Sequence, residues 1–325
     1  MANLSNCLVS GAGLPANLDL AIGLQVEAAR LGRRQAKRIL GLSAIINSSA
    51  SQDFSAAGAG LLLAAAEEGD HVAAMIARDA ELNGDVEDVG TSRPLNERAL
   101  NELERGLGDA IRNRAAPVVE NITDRPRLRL SPGFLHPLER AYLIHLSSQF
   151  LSDSRVSSGS QRHQKMEDVR SSLDCHYSRH RQDLVIRGTV ERICAATQRP
   201  ATHGEALSVV NYGPGGQFLP HLDAEASSLA HGPGDRDLRT TTFIAYLNDD
   251  YDGGETIFVG PRLKIRGKAG DAIFFENLDC QGEIDTESMH AGSPVIRGNK
   301  WIAVQWFRST ETQAKPVPTV EEMRV

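Results

Sequence analysis

In His221-Leu222-Asp223 an imidazole and a carboxylate stand two positions apart. On an extended strand successive side chains alternate faces, so both polar groups would point one way and Leu222 the other, and the pair can bind one ion. Two imidazoles and one carboxylate on a single face of an octahedron suit Fe(II) in oxygenases, because the opposite face stays open for reactants. A third ligand must therefore come from elsewhere. His290, 69 residues beyond His221, is the candidate: it precedes Ala291-Gly292-Ser293-Pro294-Val295, which leads into another strand. Alone, a His-x-Asp pair is more often a surface or hydrogen-bonded polar pair than a metal site, so the surrounding pattern has to decide. Lys300 follows the turn Arg297-Gly298-Asn299 and opens the apolar run Trp301 to Phe307. A cation at the head of a buried strand either marks the end of a turn in solvent or supplies the positive partner that a dicarboxylic co-substrate needs.

Five blocks around these residues occur in a recognisable order. Asn211-Tyr212-Gly213-Pro214-Gly215-Gly216-Gln217-Phe218-Leu219-Pro220-His221-Leu222-Asp223 is followed by Arg239-Thr240-Thr241-Thr242-Phe243-Ile244-Ala245-Tyr246-Leu247-Asn248 and Gly253-Gly254-Glu255-Thr256. Then come Gly270-Asp271-Ala272-Ile273-Phe274-Phe275, and finally His290 to Val295 with Gly298-Asn299-Lys300-Trp301. Upstream, Arg170-Ser171-Ser172 and Gly204 to Val209 fit the same order. From about Ser131 to Arg308 the chain thus resembles the prolyl 4-hydroxylase branch of the 2-oxoglutarate dioxygenases. The resemblance implies iron on His221, Asp223 and His290, and Lys300 on the distal carboxylate of 2-oxoglutarate. It also implies Tyr212 and Thr242 beside that co-substrate, with Thr240 and Thr241 as adjacent alternatives to Thr242. L-ascorbate is implied as the reductant that rescues oxidised iron. The glycines at 213, 215 and 216 permit backbone shapes closed to other residues, and no Lys-Ser or Lys-Thr follows them, which speaks against a nucleotide loop.

The elements that must position these groups divide the chain. The first ~90 residues carry apolar positions at three- and four-residue steps, the pattern of amphipathic helices. Ala28-Ala29-Arg30-Leu31-Gly32 is echoed by Ala65-Ala66-Glu67-Glu68-Gly69, an offset of 37 residues, and Ala36 and Ile39 recur as Ala73 and Ile76. A helix pair of that length resembles the Sel1-like and tetratricopeptide repeats, with a plain helical bundle as the other reading. Leu95 to Leu107 reads as a further helix, and Pro117 and Pro126 break the chain after it. Helices are expected over Leu138 to Leu151 and Leu184 to Thr197, with the charged segment Ser152 to Arg170 as a loop between them. After Pro200, short alternating segments at Ala206 to Tyr212, Thr240 to Leu247, Thr256 to Val259, Ala272 to Phe275 and Trp301 to Phe307 predict strands of a jelly roll. The expected class is α+β: a double-stranded beta-helix domain with flanking helices, preceded by an all-α N-terminal region. The expected boundaries are a helical domain over 1–110, a linker over 111–130, the oxygenase domain over 131–311 and a tail over 312–325 carrying Pro316 and Pro318. His231, in a polar segment between Asp223 and the next strand, either closes over substrate or is surface.

Composition excludes several classes. The 325 residues carry a net charge of -7, which offers no general attraction to nucleic acid. The Arg-rich stretches Arg30 to Arg38 and Arg125 to Arg129 read as solvated faces. No apolar run reaches the ~20 residues a membrane helix requires, and no signal peptide is visible, so neither a membrane partner nor export is expected and the cytoplasm is the default. The four cysteines, Cys7, Cys175, Cys194 and Cys280, are scattered without a metal or disulfide spacing. The substrate expected from the family branch is peptidyl proline. A free amino acid or small metabolite is the alternative, and a concave helical surface would suit a peptide or partner protein. Two other classes stay open: a barrel retained only for binding, and a cupin-type iron enzyme that does not use 2-oxoglutarate.

Overall fold

The computed structural model describes residues 2–48, 52–83, 97–154, 170–224 and 237–312. Most of the charged run Ser152 to Arg170, the segment around His231 and the tail with Pro316 and Pro318 lie outside the described residues. Two compact units are present, one built on Met1–Arg114 with Tyr177–Gly188, the other on Ala115–His176 and Thr189–Glu311.

The first unit is helical. It comprises α1 (Ala2–Ser10), α2 (Leu18–Arg30), α3 (Arg34–Ile46), α4 (Gln52–Glu67), α5 (His71–Asn83) and α6 (Glu97–Arg112). At the start of α2 the Asn17 side chain accepts from the Leu20 amide, 3.0 Å, satisfying a donor that the first turn leaves open. The helix ends at Gly32, whose φ of +75° suits glycine. Both boundaries of α3 recur 37 residues later in α5, and so do the hydrogen bonds of the connection. Gly32 N and Arg33 N donate to Ala29 O and Ala28 O, as Gly69 N and Asp70 N donate to Ala66 O and Ala65 O. The sequence echo is therefore a duplicated helix pair. Ala28, Ala36, Ile39, Ala65, Ala73 and Ile76 are all buried. At the crossing of α3 and α4, Gly41 and Gly58 face one another so closely that a Cβ on Gly58 would lie 2.6 Å from the Gly41 carbonyl. The amphipathic α6 covers the pairs with Leu100, Leu103 and Leu107, which join Ile22, Val26 and Leu40 in one core.

The second unit is a rolled double sheet. Its strands are β1 (Glu120–Asp124), β2 (Arg127–Ser131), β3 (Ser152–Asp153), β4 (Leu173–Tyr177), β5 (Leu207–Tyr212), β6 (Phe218–His221) and β7 (Arg239–Tyr246). After them come β8 (Asp252–Gly253), β9 (Thr256–Phe258), β10 (Leu263–Ile265), β11 (Ala272–Glu276), β12 (His290–Gly292), β13 (Val295–Arg297) and β14 (Lys300–Arg308). Two helices, α7 (Pro137–Ser147) and α8 (Leu184–Thr197), lie in this half of the sequence. The large sheet runs β1-β2-β11-β7-β14-β5-β4-β3, the small one β10-β9-β12-β6, and β13 pairs with β8. This is the jelly-roll class expected from the alternating segments.

Strand alternation creates the interior. Lys300, Ile302, Val304 and Trp306 share one face of β14, and Thr242 and Ile244 share one face of β7. Register places Ile302 opposite Val210 and Tyr246, Val304 opposite Ile244, and Trp306 opposite Thr242. These apolar rows, with Phe258, Ile273 and Phe275, form the core. Residues expected to be a linker up to position 130 contain β1 and β2, and β2 pairs with β11 inside the large sheet. The prolines and charges masked a short alternation, Arg127-Leu128-Arg129-Leu130, in which Leu128 is fully buried.

Candidate metal centre

His221 closes β6 and His290 opens β12, and antiparallel pairing sets the two residues directly opposite each other. Sequence reasoning places Asp223 on the same strand as His221. In the structure β6 ends at His221, and the carboxylate reaches the imidazole from just beyond the strand. Oδ1 of Asp223 is 3.6 Å from Nε2 of His221, and Oδ2 is 3.7 Å from Nε2 of His290. One ligand atom from each of the three residues lies within 4.8 Å of the others, the one such group among the described residues.

The tautomers follow from the hydrogen bonds. Nδ1 of His221 lies 2.8 Å from Leu219 O, and Nδ1 of His290 lies 3.0 Å from Ser288 O. A carbonyl only accepts, so each Nδ1 carries a proton, and each Nε2 is the nitrogen turned toward Asp223. Phe218 stacks on His221 at 3.6 Å between centroids, and Phe275 meets His290 edge-on at 4.9 Å. Burial among these rings, with His221 close by, lowers His290 to about 4, so it is neutral at physiological pH. Burial alone would raise Asp223, but His290, His221 and Arg239 outweigh it and hold the carboxyl well below its ordinary range. An ionised carboxylate between two imidazole Nε2 atoms is a donor set for a divalent transition metal.

The same cavity holds the cation. Its wall includes Tyr212, Thr242, Ile244, Thr256, Lys300 and Ile302 beside the three clustered residues. Lys300 is 3% exposed and donates to Gly254 O at 2.7 Å. Burial pulls its ammonium down to about 8, with Glu255 acting weakly the other way. Tyr212 lies across from it, ring centroid 5.7 Å from Nζ. Thr242, expected beside a co-substrate, lines the cavity, but its hydroxyl donates 2.7 Å to Oδ2 of Asp223. The alternatives Thr240 and Thr241 bond elsewhere, to Phe307 O and Glu276.

Sequence reasoning missed two hydroxyls near Lys300. Thr256 shares its cavity wall, and Tyr246, whose ring lies 5.8 Å from Nζ, bonds Thr256 at 3.0 Å. The signal was available: Tyr246 is four positions after Thr242 on one strand, hence on the same face. Arg239, also not singled out, is bidentate to Glu205 at 2.8 Å and lies 3.9 Å from Asp223 over the Trp306 ring.

Comparison with known proteins gives a family match and several relatives. Residues 207–308 match the 2OG-Fe(II) oxygenase superfamily. Probable prolyl 4-hydroxylase 3 of Arabidopsis thaliana is 31% identical over 233 residues, spanning 66% of this chain and 79% of that protein. Prolyl 4-hydroxylase 1 of the same plant is 30% identical over 209 residues, 59% of this chain and 72% of that one. Among solved structures, the viral collagen prolyl hydroxylase of Paramecium Bursaria Chlorella virus-1 in its 2OG complex is similar at 24% identity and a TM-score of 0.45. It covers 58% of this chain and all of that one, 100%.

Proposed function

This chain belongs to the prolyl 4-hydroxylase family of the 2OG-Fe(II) oxygenases, and on that premise we propose that it hydroxylates proline within peptides. It is a 2-oxoglutarate-dependent dioxygenase using Fe(II). The observation that carries the residue assignment is the convergence of His221, Asp223 and His290 in a cavity whose wall also bears Lys300. His221, Asp223 and His290 are the proposed iron ligands, and Lys300 is the anchor for the distal carboxylate of 2-oxoglutarate.

When bound, iron with 2-oxoglutarate would supply the chemistry that reduces dioxygen, one oxygen atom entering a substrate C-H bond and the other the succinate left as carbon dioxide is released. The chain's own residues do the positioning. His221 and neutral His290 turn Nε2 to the site, and ionised Asp223 contributes the single negative charge. Lys300 fixes the co-substrate's length and direction by pairing with a carboxylate in a poorly solvated place, where such a bond is strong. Tyr212, with Tyr246 and Thr256, supplies hydroxyls at that end, and Ile244, Ile302 and Val304 keep water from the wall. Ascorbate as reductant, a cytoplasmic setting, and the duplicated helix pairs as a Sel1-like surface for a partner protein belong to the same proposal.

The test is mass spectrometry of proline-containing peptides, and of free proline, incubated with the chain, Fe(II), ascorbate and 2-oxoglutarate. The expected result is a gain of one oxygen on peptidyl proline with matching succinate, abolished in His290→Ala. A gain confined to free proline would move the substrate to small metabolites. Succinate release with no dependence on His290 would contradict the site.

A further inference from the structure

Asp223 lies beyond the end of β6 and is not held by sheet pairing, yet its carboxylate must stay aimed at two imidazoles. Its 2.7 Å bond from Thr242 is much shorter than its 3.6, 3.7 and 3.9 Å approaches to His221, His290 and Arg239. Behind Thr242, Nδ2 of Asn277 donates to the same hydroxyl oxygen at 2.9 Å. Asn277 is fully buried and directly follows β11. Its own amide donates to Thr240 O at 2.8 Å, and its carbonyl accepts from Asp285 N at 2.9 Å. The register that sets Phe275 opposite Thr242 brings this side chain within reach.

We propose that Asn277 and Thr242 are positioning residues that fix the Asp223 carboxylate for the metal, a role deeper than, and resting on, the iron reading above. The polarity of the chain is forced. An ionised carboxylate only accepts, an amide nitrogen only donates, and the threonine hydroxyl has one proton, so that proton points at Asp223. Asn277 donates to the hydroxyl oxygen and disfavours the rotamers in which Thr242 would turn away. The charge-assisted bond then ties down Oδ2, so the carboxylate does not need to be ordered when a metal arrives.

The measurement is Co(II) binding without 2-oxoglutarate, followed by calorimetry and by the visible d-d absorption of the bound ion. Omitting the co-substrate separates this role from a contact to it, since a residue that touched only 2-oxoglutarate would leave Co(II) affinity alone. Thr242→Val should weaken Co(II) roughly 10- to 100-fold, the usual cost of losing a partner of a metal ligand. Asn277→Leu should weaken it less, about three- to tenfold, and Thr242→Ser, which keeps the hydroxyl, should bind within about threefold of the unaltered chain. Equal affinity and an unchanged spectrum in Thr242→Val would overturn the proposal. Should that variant not fold, the same result in Asn277→Leu would overturn it. A failure of the unaltered chain to bind Co(II) would overturn the metal reading, and this proposal with it.

Discussion

Lys300 is a cation with almost no water around it, and that makes its charge conditional on pH. Its ammonium is held near 8 by burial. The protonated form binds a carboxylate, so affinity for 2-oxoglutarate should be full at lower pH and fall as pH rises through about 8. In that range binding takes up a proton, because the arriving carboxylate favours the charged form. Lys300→Arg should remove this pH dependence, since a guanidinium does not titrate there. Fluorescence or calorimetric affinities between pH 6.5 and 9.5 check it, and a flat profile in the unaltered chain would mean that Lys300 does not titrate in this range. His221, His290 and Lys300 were legible because each carries rare chemistry at a strand boundary. Thr242 was legible as a member of the site but not as a donor to Asp223, because sequence spacing gives the face of a strand and not the direction of a hydroxyl. The helical duplication was legible through Gly32 and Gly69, which end helices for a backbone reason.

Between elements, close approach is set by what is missing from a side chain. Gly41 and Gly58 let α3 and α4 touch backbone to backbone; a side chain at Gly58 would also meet Ile45 at 2.8 Å. Gly58→Val should therefore destabilise the helical unit by about 1–3 kcal/mol, the usual cost of overpacking, read by denaturant unfolding. A neutral result would show that the helices separate without cost. The same scale explains what the sequence concealed. Strands β7, β11 and β14 were visible because each is a short run rich in β-branched or aromatic residues set between turn residues, and α8 was bounded as observed. The hairpin β1–β2 was not visible, since five-residue strands carrying Glu120, Asp124, Arg127 and Arg129 draw their stability from the edge they pair with rather than from their own pattern. Likewise β12 has only three residues, so its register against β6, which sets His290 opposite His221, follows from tertiary pairing.

At the scale of the whole molecule, each unit has its own core, so ligands of one should protect that one. Adding Mn(II) at about 100 times its dissociation constant should stabilise the metal-binding unit by roughly 2.7 kcal/mol. In hydrogen exchange, amides of β5, β7, β12 and β14 should slow while those of α2 to α5 stay unchanged; uniform slowing would show that the two units open together. Among the described residues no helix is long and apolar enough to cross a membrane. His221, Asp223 and His290 are the proposed iron ligands of one cavity, in which Lys300 would hold 2-oxoglutarate. An anaerobic titration with Fe(II) and 2-oxoglutarate tests this assignment most directly, through the weak visible charge-transfer band of the chelate. The account predicts that the band appears at one iron per chain, vanishes in His290→Ala, and requires far more 2-oxoglutarate in Lys300→Ala. A folded chain that gives no band, or one whose band survives loss of His290, would contradict it.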